Sequence, residues 1–220
     1  MLVNTLVGLS FLIIGDSHLT MPHYLIESLH SELVERGANV NTYGVCGANA
    51  GDWLQPTAGT CGAAERLGSD PVKLLPRNTS TKPIVGLLQQ EKPDVVVVVM
   101  GDTMASYDKD VFPKAWAWQQ VSALTKTIGK ENTTCVWVGP AWGTEGGKYK
   151  KNFARVKQVS AFLATNVAPC SYIDSLAFSQ PGEWATTDGQ HFTASGYKNW
   201  GQAIVQEILE IPAVKEKEKQ

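Results

Sequence analysis

Five consecutive valines and a methionine, Val95–Met100, are the feature that most constrains how this chain of 220 residues folds. A run of six apolar, mostly β-branched residues after Pro93-Asp94 predicts a strand that is buried on both faces. Strands of this kind belong to parallel sheets, because the connections between parallel strands place helices over both faces. The run therefore indicates an α/β fold with this strand near the centre of its sheet.

Shorter strand-like segments and helical patterns alternate on either side of this run. Four more strands are predicted from short apolar or β-branched segments, at Phe11–Ile14, Val40–Tyr43, Cys135–Val138 and Cys170–Ile173. The predicted helices are a segment starting near Thr20, then Pro83–Gln90, Lys114–Ile128, Lys150–Asn166 and a segment starting at Thr193. This alternation favours right-handed βαβ units, so we predict a five-stranded parallel sheet covered by helices on both faces.

The chain is long enough for one domain and shows no internal repeat. We predict a domain over residues 10–210, an N-terminal extension over 1–9 and a charged tail over 211–220. Ala48–Thr81 is rich in Gly, Pro, Ser and Thr, which predicts a long loop that is functional or tied by a disulfide. Leu6–Ile14 is too short to span a bilayer and lacks the flanks of a signal peptide. A net charge of −2 without a basic stripe argues against a nucleic-acid partner.

The four cysteines leave two interpretations open. Cys46 and Cys61 bracket a Gly-containing loop, whereas Cys135 and Cys170 each begin a strand-like run. The chain has no Cys-x-x-Cys pair and no histidine near a cysteine pair, so the spacing does not predict a metal site. We favour disulfides, and with them an oxidising compartment outside the cytoplasm, over four reduced thiols in a cytosolic enzyme.

Two polar motifs lie near opposite ends of the chain. Gly15-Asp16-Ser17-His18 follows the first predicted strand, which places the Ser17 hydroxyl at the edge of the sheet where sites form in parallel α/β proteins. Asp188-Gly-Gln-His191 precedes the last predicted helix, and a carboxylate three residues before a histidine can fix its tautomer. Either motif alone is common in turns or helix caps. Together they predict a triad in which His191 activates Ser17 and Asp188 orients His191.

The motifs and their order resemble those of the SGNH (GDSL) hydrolase superfamily. Gly-Asp-Ser and Asp-x-x-His match closely, the glycine-containing segments after the second and central strands match loosely, and the resemblance extends over Phe11–Leu209. It implies a flavodoxin-like, three-layer α/β/α fold and an acyl-enzyme mechanism with no metal and no cofactor. It also implies that Ser17 is the nucleophile, His191 the base and Asp188 its orienting partner.

The resemblance further implies an oxyanion hole made by the backbone N–H groups of Ser17 and Gly47 and by a residue of the third motif. The family pattern there is Gly-x-Asn-Asp, whereas this chain has Gly101-Asp-Thr-Met104, so Thr103 occupies the asparagine position. Loss of one oxyanion donor typically lowers turnover by about 100- to 1000-fold. Three outcomes stay open: Thr103 donates, another group replaces it, or hydrolysis is weak, as in related domains that transfer acetyl groups to polysaccharides.

The seven tryptophans fall into two groups. Trp53, Trp142 and Trp184 lie in loops predicted to surround the cleft, and aromatic faces in an open cleft suit sugar rings. They are therefore candidate substrate-binding residues, the alternative being that they cap the core. The other four, Trp116, Trp118, Trp137 and Trp200, are predicted to be packing residues.

These patterns favour an SGNH-type esterase or O-acetyltransferase that acts on acetyl esters of a cell-surface or secreted polysaccharide. We expect a periplasmic or secreted protein whose partners are a carbohydrate or acyl-ester substrate and, for transfer, a membrane-bound acyl donor. An alternative of a different class is a polysaccharide-binding or complex-organising module with little turnover, which Thr103 favours. A lipase or thioesterase is less favoured, because the sequence has no evident amphipathic lid.

Overall fold

The computed structural model describes residues 6–131 and 133–217 and contains a sheet of seven strands in the order β4-β3-β2-β1-β5-β6-β7. The strands are β1 Ser10–Gly15, β2 Asn39–Val45, β3 Ala63–Leu67, β4 Lys73–Leu75, β5 Val95–Val99, β6 Thr134–Val138 and β7 Ser171–Ile173. The α-helices are α1 Leu25–Glu35, α2 Ile84–Glu91, α3 Lys114–Gly129, α4 Phe153–Asn166, α5 Ala194–Glu210 and α6 Pro212–Lys217.

The predicted α/β class and the parallel core are confirmed. Strands β2, β1, β5, β6 and β7 pair in parallel, with β5 in the interior of the sheet. Alternate valines of β5 face opposite sides, because successive side chains of a strand point to opposite faces. Val95, Val97 and Val99 belong to the core cluster under α1, α5 and α6, while Val96 and Val98 belong to the one under α2, α3 and α4. The fold is therefore a three-layer α/β/α sandwich.

The prediction of only five strands is wrong, because the segment predicted to be a long loop contributes β3 and β4. These two strands form an antiparallel hairpin on the free edge of β2. Their sequences lack the β-branched runs that signal strands, so the pairing comes from the available edge rather than from local propensity. Glu65 of β3 forms ion pairs with Lys73 and Lys82, at 3.0 Å each, on the exposed side of the hairpin.

Segments at both ends of the predicted domain pack onto it. Leu6 is fully buried, and its backbone N–H donates to the Arg36 carbonyl at 3.0 Å. Val214 of α6 is also fully buried. The remaining parts of the predicted extension and tail, residues 1–5 and 218–220, lie outside the described residues.

Two disulfides join the four cysteines, which confirms that interpretation over reduced thiols. Cys46–Cys61 connects the end of β2 to the segment before β3, and Cys135–Cys170 connects β6 to the start of β7. Closing a 15-residue loop stabilises a fold by roughly 3 kcal/mol in the chain-entropy model. None of the helices in the described ranges has the length and apolar character needed to cross a bilayer.

Candidate active site

Ser17 lies at the carboxyl edge of the sheet, directly after β1. Gly15 ends that strand so close to β5 that a Cβ atom would collide with the Val99 carbonyl, and this position therefore needs glycine. The chain then turns into a short 3₁₀-helix, Ser17–Leu19, whose first N–H groups have no partner inside the helix. Ser17 is 6% exposed and lines the cleft at this edge.

The structure brings the three predicted catalytic side chains into one hydrogen-bonded row. His191 Nε2 lies 2.7 Å from Ser17 Oγ, and His191 Nδ1 lies 2.7 Å from Asp188 Oδ2. The ionised carboxylate of Asp188 only accepts hydrogen bonds, so Nδ1 carries the ring proton and Nε2 is left to accept from the serine. This is the geometry needed for His191 to take the Ser17 proton.

A tight turn keeps Asp188 ionised and aimed at His191. Its Oδ1 accepts from the backbone N–H groups of Gln190 at 3.0 Å and His191 at 2.8 Å. Partial burial acts to raise the pKa of the Asp188 carboxyl, but these N–H donors and the His191 ring outweigh it and lower the pKa. The carboxylate is thus a fixed negative charge that stabilises the imidazolium formed when Ser17 is deprotonated.

A loop between β6 and α4, residues 143–151, fixes the catalytic turn from the other side. The backbone N–H groups of Thr144 and Lys148 donate to the carbonyls of Gly189 and Asp188, both at 2.9 Å. Gly147 lies so close to Asp188 that a Cβ atom would collide with the Asp188 carbonyl oxygen. We call this segment the clamp loop, because its backbone holds the turn that carries Asp188 and His191.

Two tyrosines that the sequence analysis did not single out enclose the His191 ring. The ring of Tyr24 stacks on it at a centroid distance of 5.6 Å, and Tyr149 of the clamp loop meets it edge-on at 5.5 Å. The signal that could have identified Tyr149 is its position in a glycine- and lysine-rich stretch after a predicted strand. The predicted helix begins at Lys150, directly after Tyr149, whereas α4 begins only at Phe153.

Gly47 and Thr103, the two candidate oxyanion donors besides Ser17, both line the cleft beside the serine. The candidate donor is a backbone N–H group at Gly47 and a side-chain hydroxyl at Thr103. Gly47 has φ +85°, a conformation that favours glycine, and lies next to the cysteine of the Cys46–Cys61 bridge. The Thr103 hydroxyl donates to the Ala48 carbonyl at 2.9 Å. A hydroxyl has one proton to donate, so in this conformation Thr103 supplies no hydrogen bond to an oxyanion. Of the three outcomes that the sequence leaves open, this bond favours the two in which Thr103 is not the oxyanion donor.

Behind Ser17 lies a buried polar network built around Asp102. Its Oδ2 is 2.9 Å from both Lys151 Nζ and His18 Nε2, and its Oδ1 accepts from the Tyr107 hydroxyl. Burial acts to raise the pKa of Asp102, but Lys151 and His18 outweigh it and hold the pKa well below its usual range. Burial lowers the pKa of His18 to about 4 against the hydrogen bond to Asp102, so this ring is neutral at pH 7 and accepts from Tyr197 at 2.8 Å.

Asp16, the second residue of the Gly-Asp-Ser motif, is buried beside this network. Its Oδ1 accepts from the His18 backbone N–H at 3.1 Å, while Oδ2 has no hydrogen-bond partner among the described residues. Burial raises the pKa of Asp16 to about 8, with the charge of Asp102 adding to the effect and that of Lys151 opposing it. Burial and the lack of a partner for Oδ2 therefore favour the protonated, neutral form of Asp16.

Two of the seven tryptophans lie where the sequence analysis predicts, and five do not. Trp53 is fully buried in the core, which contradicts its assignment to substrate binding. Trp142 is 7% exposed and donates to the Leu176 carbonyl, Trp184 packs on Phe192, and neither lines the cleft around Ser17. Of the predicted packing residues, Trp137 and Trp200 are buried. The prediction is wrong for Trp116 and Trp118, which are 36% and 49% exposed. Both lie on α3, whose buried positions are filled by smaller side chains.

The cleft has two lobes that meet at Ser17. The hairpin lobe, about 420 Å³, is lined by His191 and Asp188 together with residues of the β3–β4 hairpin and of the segment before α1. The oxyanion lobe, about 390 Å³, is lined by Gly47, Thr103 and residues of the clamp loop. Four residues line both lobes, namely Ser17, Cys46, Cys61 and Tyr149. The serine therefore stands at the junction of two separate binding spaces.

This arrangement can perform nucleophilic acyl chemistry with the groups just described. Ser17 is paired with a base, the base with a carboxylate, and backbone N–H groups lie at the start of a short helix. The described residues contain no group of three or more His, Cys, Asp or Glu side chains that could hold a metal ion.

Comparison with known proteins places these features in context. No family model matches the chain. Protein BcsX of Komagataeibacter xylinus is 45% identical over 206 residues, which cover 93% of this chain and 78% of BcsX.

Solved structures resemble the whole fold at low sequence identity. A Slackia heliotrinireducens protein assigned to the SGNH hydrolases has a TM-score of 0.60 and 16% identity, covering 91% of this chain and 98% of its own. The acetyl xylan esterase AlAXEase has a TM-score of 0.58 and 14% identity, covering 91% and 100%. The psychrotrophic esterase EstA of a Pseudoalteromonas species has a TM-score of 0.55 and 13% identity, covering 92% and 99%.

Proposed function

This chain belongs to the family of Protein BcsX, and from that premise and its SGNH-like fold we propose that it is a serine-dependent enzyme of acyl esters. The observation that carries the proposal is the hydrogen-bonded row formed by Ser17, His191 and Asp188, in which both hydrogen bonds are 2.7 Å long. Structural neighbours named as esterases support the same class of reaction.

In the proposed mechanism, Ser17 Oγ attacks the acyl carbon while its proton passes to His191 Nε2. The tetrahedral oxyanion is stabilised by the backbone N–H groups of Ser17 and Gly47. When the bond from the acyl carbon to the alcohol oxygen breaks, the alkoxide takes the proton from His191 and leaves as an alcohol. His191 then deprotonates water or a second hydroxyl, which attacks the acyl-serine and releases Ser17 with its proton restored.

We propose that the substrate is an O-acetyl ester of a carbohydrate, which the enzyme either hydrolyses or transfers to a polysaccharide. An open, two-lobed cleft accommodates a chain that extends to both sides of the serine. One structural neighbour is named an acetyl xylan esterase. The commitment of the Thr103 hydroxyl to Ala48 removes the usual third donor, which favours an enzyme with slow hydrolysis and thus leaves transfer open.

The two disulfides support a periplasmic or secreted location, because such bonds persist in oxidising compartments. Acyl donors of the cytosol do not reach an enzyme in that location. For a transferase we therefore propose that a membrane-bound partner supplies the acyl group.

Hydrolysis of 4-nitrophenyl acetate tests the proposed class of reaction. The wild-type protein is expected to release nitrophenol and to be labelled at Ser17 by a fluorophosphonate. Ser17→Ala is expected to lower kcat/KM by at least about a thousandfold and to abolish labelling, because the nucleophile is gone. Equal rates for wild type and Ser17→Ala would contradict the proposal.

The same assay separates the second candidate, a polysaccharide-binding module with weak or no turnover, which the Thr103 position favours. Such a module binds oligosaccharides but shows no rate that depends on Ser17. To separate esterase from transferase, a sugar oligomer is added to the ester assay. Acetylated oligomer detected by mass spectrometry indicates transfer, and free acetate alone indicates hydrolysis.

A further inference from the structure

The two lobes of the cleft differ in the catalytic groups that they contain. His191 and Asp188 line only the hairpin lobe, whereas Gly47 and Thr103 line only the oxyanion lobe. Ser17 lines both. An ester whose acyl carbon lies at Ser17 therefore has room for one of its two halves in each lobe.

Proton transfer decides which half lies where. The alcohol oxygen must receive its proton from His191 Nε2 as the bond to the acyl carbon breaks, so this oxygen must lie beside the imidazole. The acyl carbon stays on Ser17 with its oxygen directed at the oxyanion donors. Because His191 lines the hairpin lobe, the alcohol half extends into that lobe and the acyl half toward the oxyanion lobe.

We propose that the hairpin lobe is the binding site for the alcohol half of the ester and that this alcohol is a sugar unit of a glycan. The inference rests on the proposed function, which already takes the alcohol to be a carbohydrate, and adds to it the site that binds this alcohol. The hairpin lobe has a volume of about 420 Å³, which lies within the range of roughly 300–1,000 Å³ typical of pockets for small-molecule ligands.

The side chains of the hairpin lobe suit the amphipathic surface of a sugar ring. Met21 is 46% exposed and Leu74 of β4 is 54% exposed, so both present apolar surface to the lobe. Arg77 follows the hairpin, lines the lobe and is exposed, and its guanidinium has hydrogen-bond donors for hydroxyl groups. Apolar side chains can cover the C–H face of a sugar while a neighbouring cation donates to its hydroxyls.

The same lobe binds the acceptor in a transfer reaction. The acceptor hydroxyl must reach the acyl-serine from the position where His191 can remove its proton. That position is the one that the first alcohol has left, so donor alcohol and acceptor occupy the hairpin lobe in turn. The β3–β4 hairpin, which is additional to the five parallel strands of the core, therefore forms part of the site that selects the alcohol.

Substitutions of the two exposed apolar residues test the proposal. Met21→Gln and Leu74→Gln keep the side-chain length approximately, and both positions are exposed, so the fold is expected to tolerate them. Val85→Gln is the matched control, since Val85 is 39% exposed on α2 and lines neither lobe. Each substitution is also placed on a Ser17→Ala background, which permits binding measurements without turnover.

Binding of an unacetylated xylo-oligosaccharide is measured by titration calorimetry. Met21→Gln and Leu74→Gln are expected to weaken binding by about fivefold each, because each removes part of an apolar contact. Val85→Gln is expected to bind like its parent. Unchanged binding in both lobe variants would overturn the assignment of the sugar to this lobe.

Kinetics on active enzyme give the second readout. For two esters with one acyl group and different alcohols, the ratio of kcat/KM is expected to change by about fivefold in Leu74→Gln. For two esters with one alcohol and different acyl chains, the ratio is expected to stay the same. The reverse result would place the acyl chain in the hairpin lobe and overturn the proposal.

Failure of the proposed function gives a different result, namely wild-type turnover that does not depend on Ser17.

Discussion

Thr103 illustrates how one side chain is redirected by its neighbours. The family pattern has an amide at this position, but the hydroxyl here has one proton to donate and donates it to the Ala48 carbonyl. That bond joins the segment after β5 to the segment after β2, the two loops that flank Ser17. In this conformation Thr103 joins the walls of the oxyanion lobe, and its hydroxyl has no proton left to donate to the substrate.

Replacing the Thr103 hydroxyl tests this role. Thr103→Val is expected to cost about 1 kcal/mol of stability, because the Ala48 carbonyl loses its donor. It is expected to lower kcat/KM by less than about tenfold, well short of the 100- to 1000-fold that follows loss of an oxyanion donor. Thr103→Ser retains the hydroxyl and serves as control. A hundredfold loss confined to the valine variant would show that the hydroxyl turns to the substrate.

Asp16 makes stability depend on pH. Burial raises its folded-state pKa to about 8 from the ordinary 3.8, so between these values the unfolded chain loses a proton that the folded protein keeps. The unfolded state then binds fewer protons, and the contribution of Asp16 to stability falls as the pH rises through this window. The fall amounts to at most about 1.4 kcal/mol per pH unit.

Asp16→Asn cannot ionise and removes this term. The difference in melting temperature between Asp16→Asn and wild type is therefore expected to shift in favour of the variant between pH 5 and pH 8. Parallel melting curves across that range would contradict a neutral, buried Asp16. Thermal unfolding followed by circular dichroism at several pH values provides the measurement.

Among individual residues, the triad could be predicted from the sequence but its surroundings could not. Asp188 and His191 are three residues apart, so local geometry alone places carboxylate and imidazole together. The pairing with Ser17, 174 residues away, follows because both motifs lie at the carboxyl edge of one sheet. Tyr149 approaches His191 only through the path of the clamp loop, and no local pattern encodes that path.

At the scale of elements, the clamp loop connects the catalytic turn to the buried network. Its last residue, Lys151, is 1% exposed and forms its ion pair with Asp102, while its earlier residues hold the carbonyls of Asp188 and Gly189. A buried lysine is stable only when paired, because burial of an unpaired charge costs several kcal/mol. The pair therefore fixes the end of the loop and, through the backbone, the turn that carries His191.

Lys151→Met is expected to destabilise the protein by roughly 3–5 kcal/mol, because it leaves the Asp102 charge buried without its cation. The double variant with Asp102→Asn is expected to lose less stability than the sum of the two single variants, since both charges are removed together. Urea unfolding of the four proteins gives the coupling. Strictly additive losses would contradict a direct energetic link between Lys151 and Asp102.

Elements with strong local signals could be predicted, and elements that depend on a partner could not. The valines of β5 and the apolar face of α1 each specify their structure within a few residues. The hairpin has no such signal: β3 reads Ala-Ala-Glu-Arg-Leu, and it becomes a strand because β2 offers an unpaired edge. The hairpin lobe could therefore not be predicted from the sequence.

For the molecule as a whole, the α/β sandwich positions the site before any catalytic residue is considered. Parallel strands end at one edge, and the two catalytic segments are the loops that follow β1 and precede α5. The number of layers and the location of the site could thus be predicted from the alternation of strands and helices. The division of the cleft into two lobes depends on the clamp loop, the hairpin and the Cys46–Cys61 bridge meeting in space.

The outermost strands of the sheet have a consequence for behaviour at high concentration. A long exposed edge offers its free N–H and C=O groups to strands of other molecules and can start fibrillar assembly. Here both edges are short, since β4 and β7 have three residues each, and Lys73 adds a charge at one of them. The sheet widens to seven strands yet ends in margins that give intermolecular β-pairing little template.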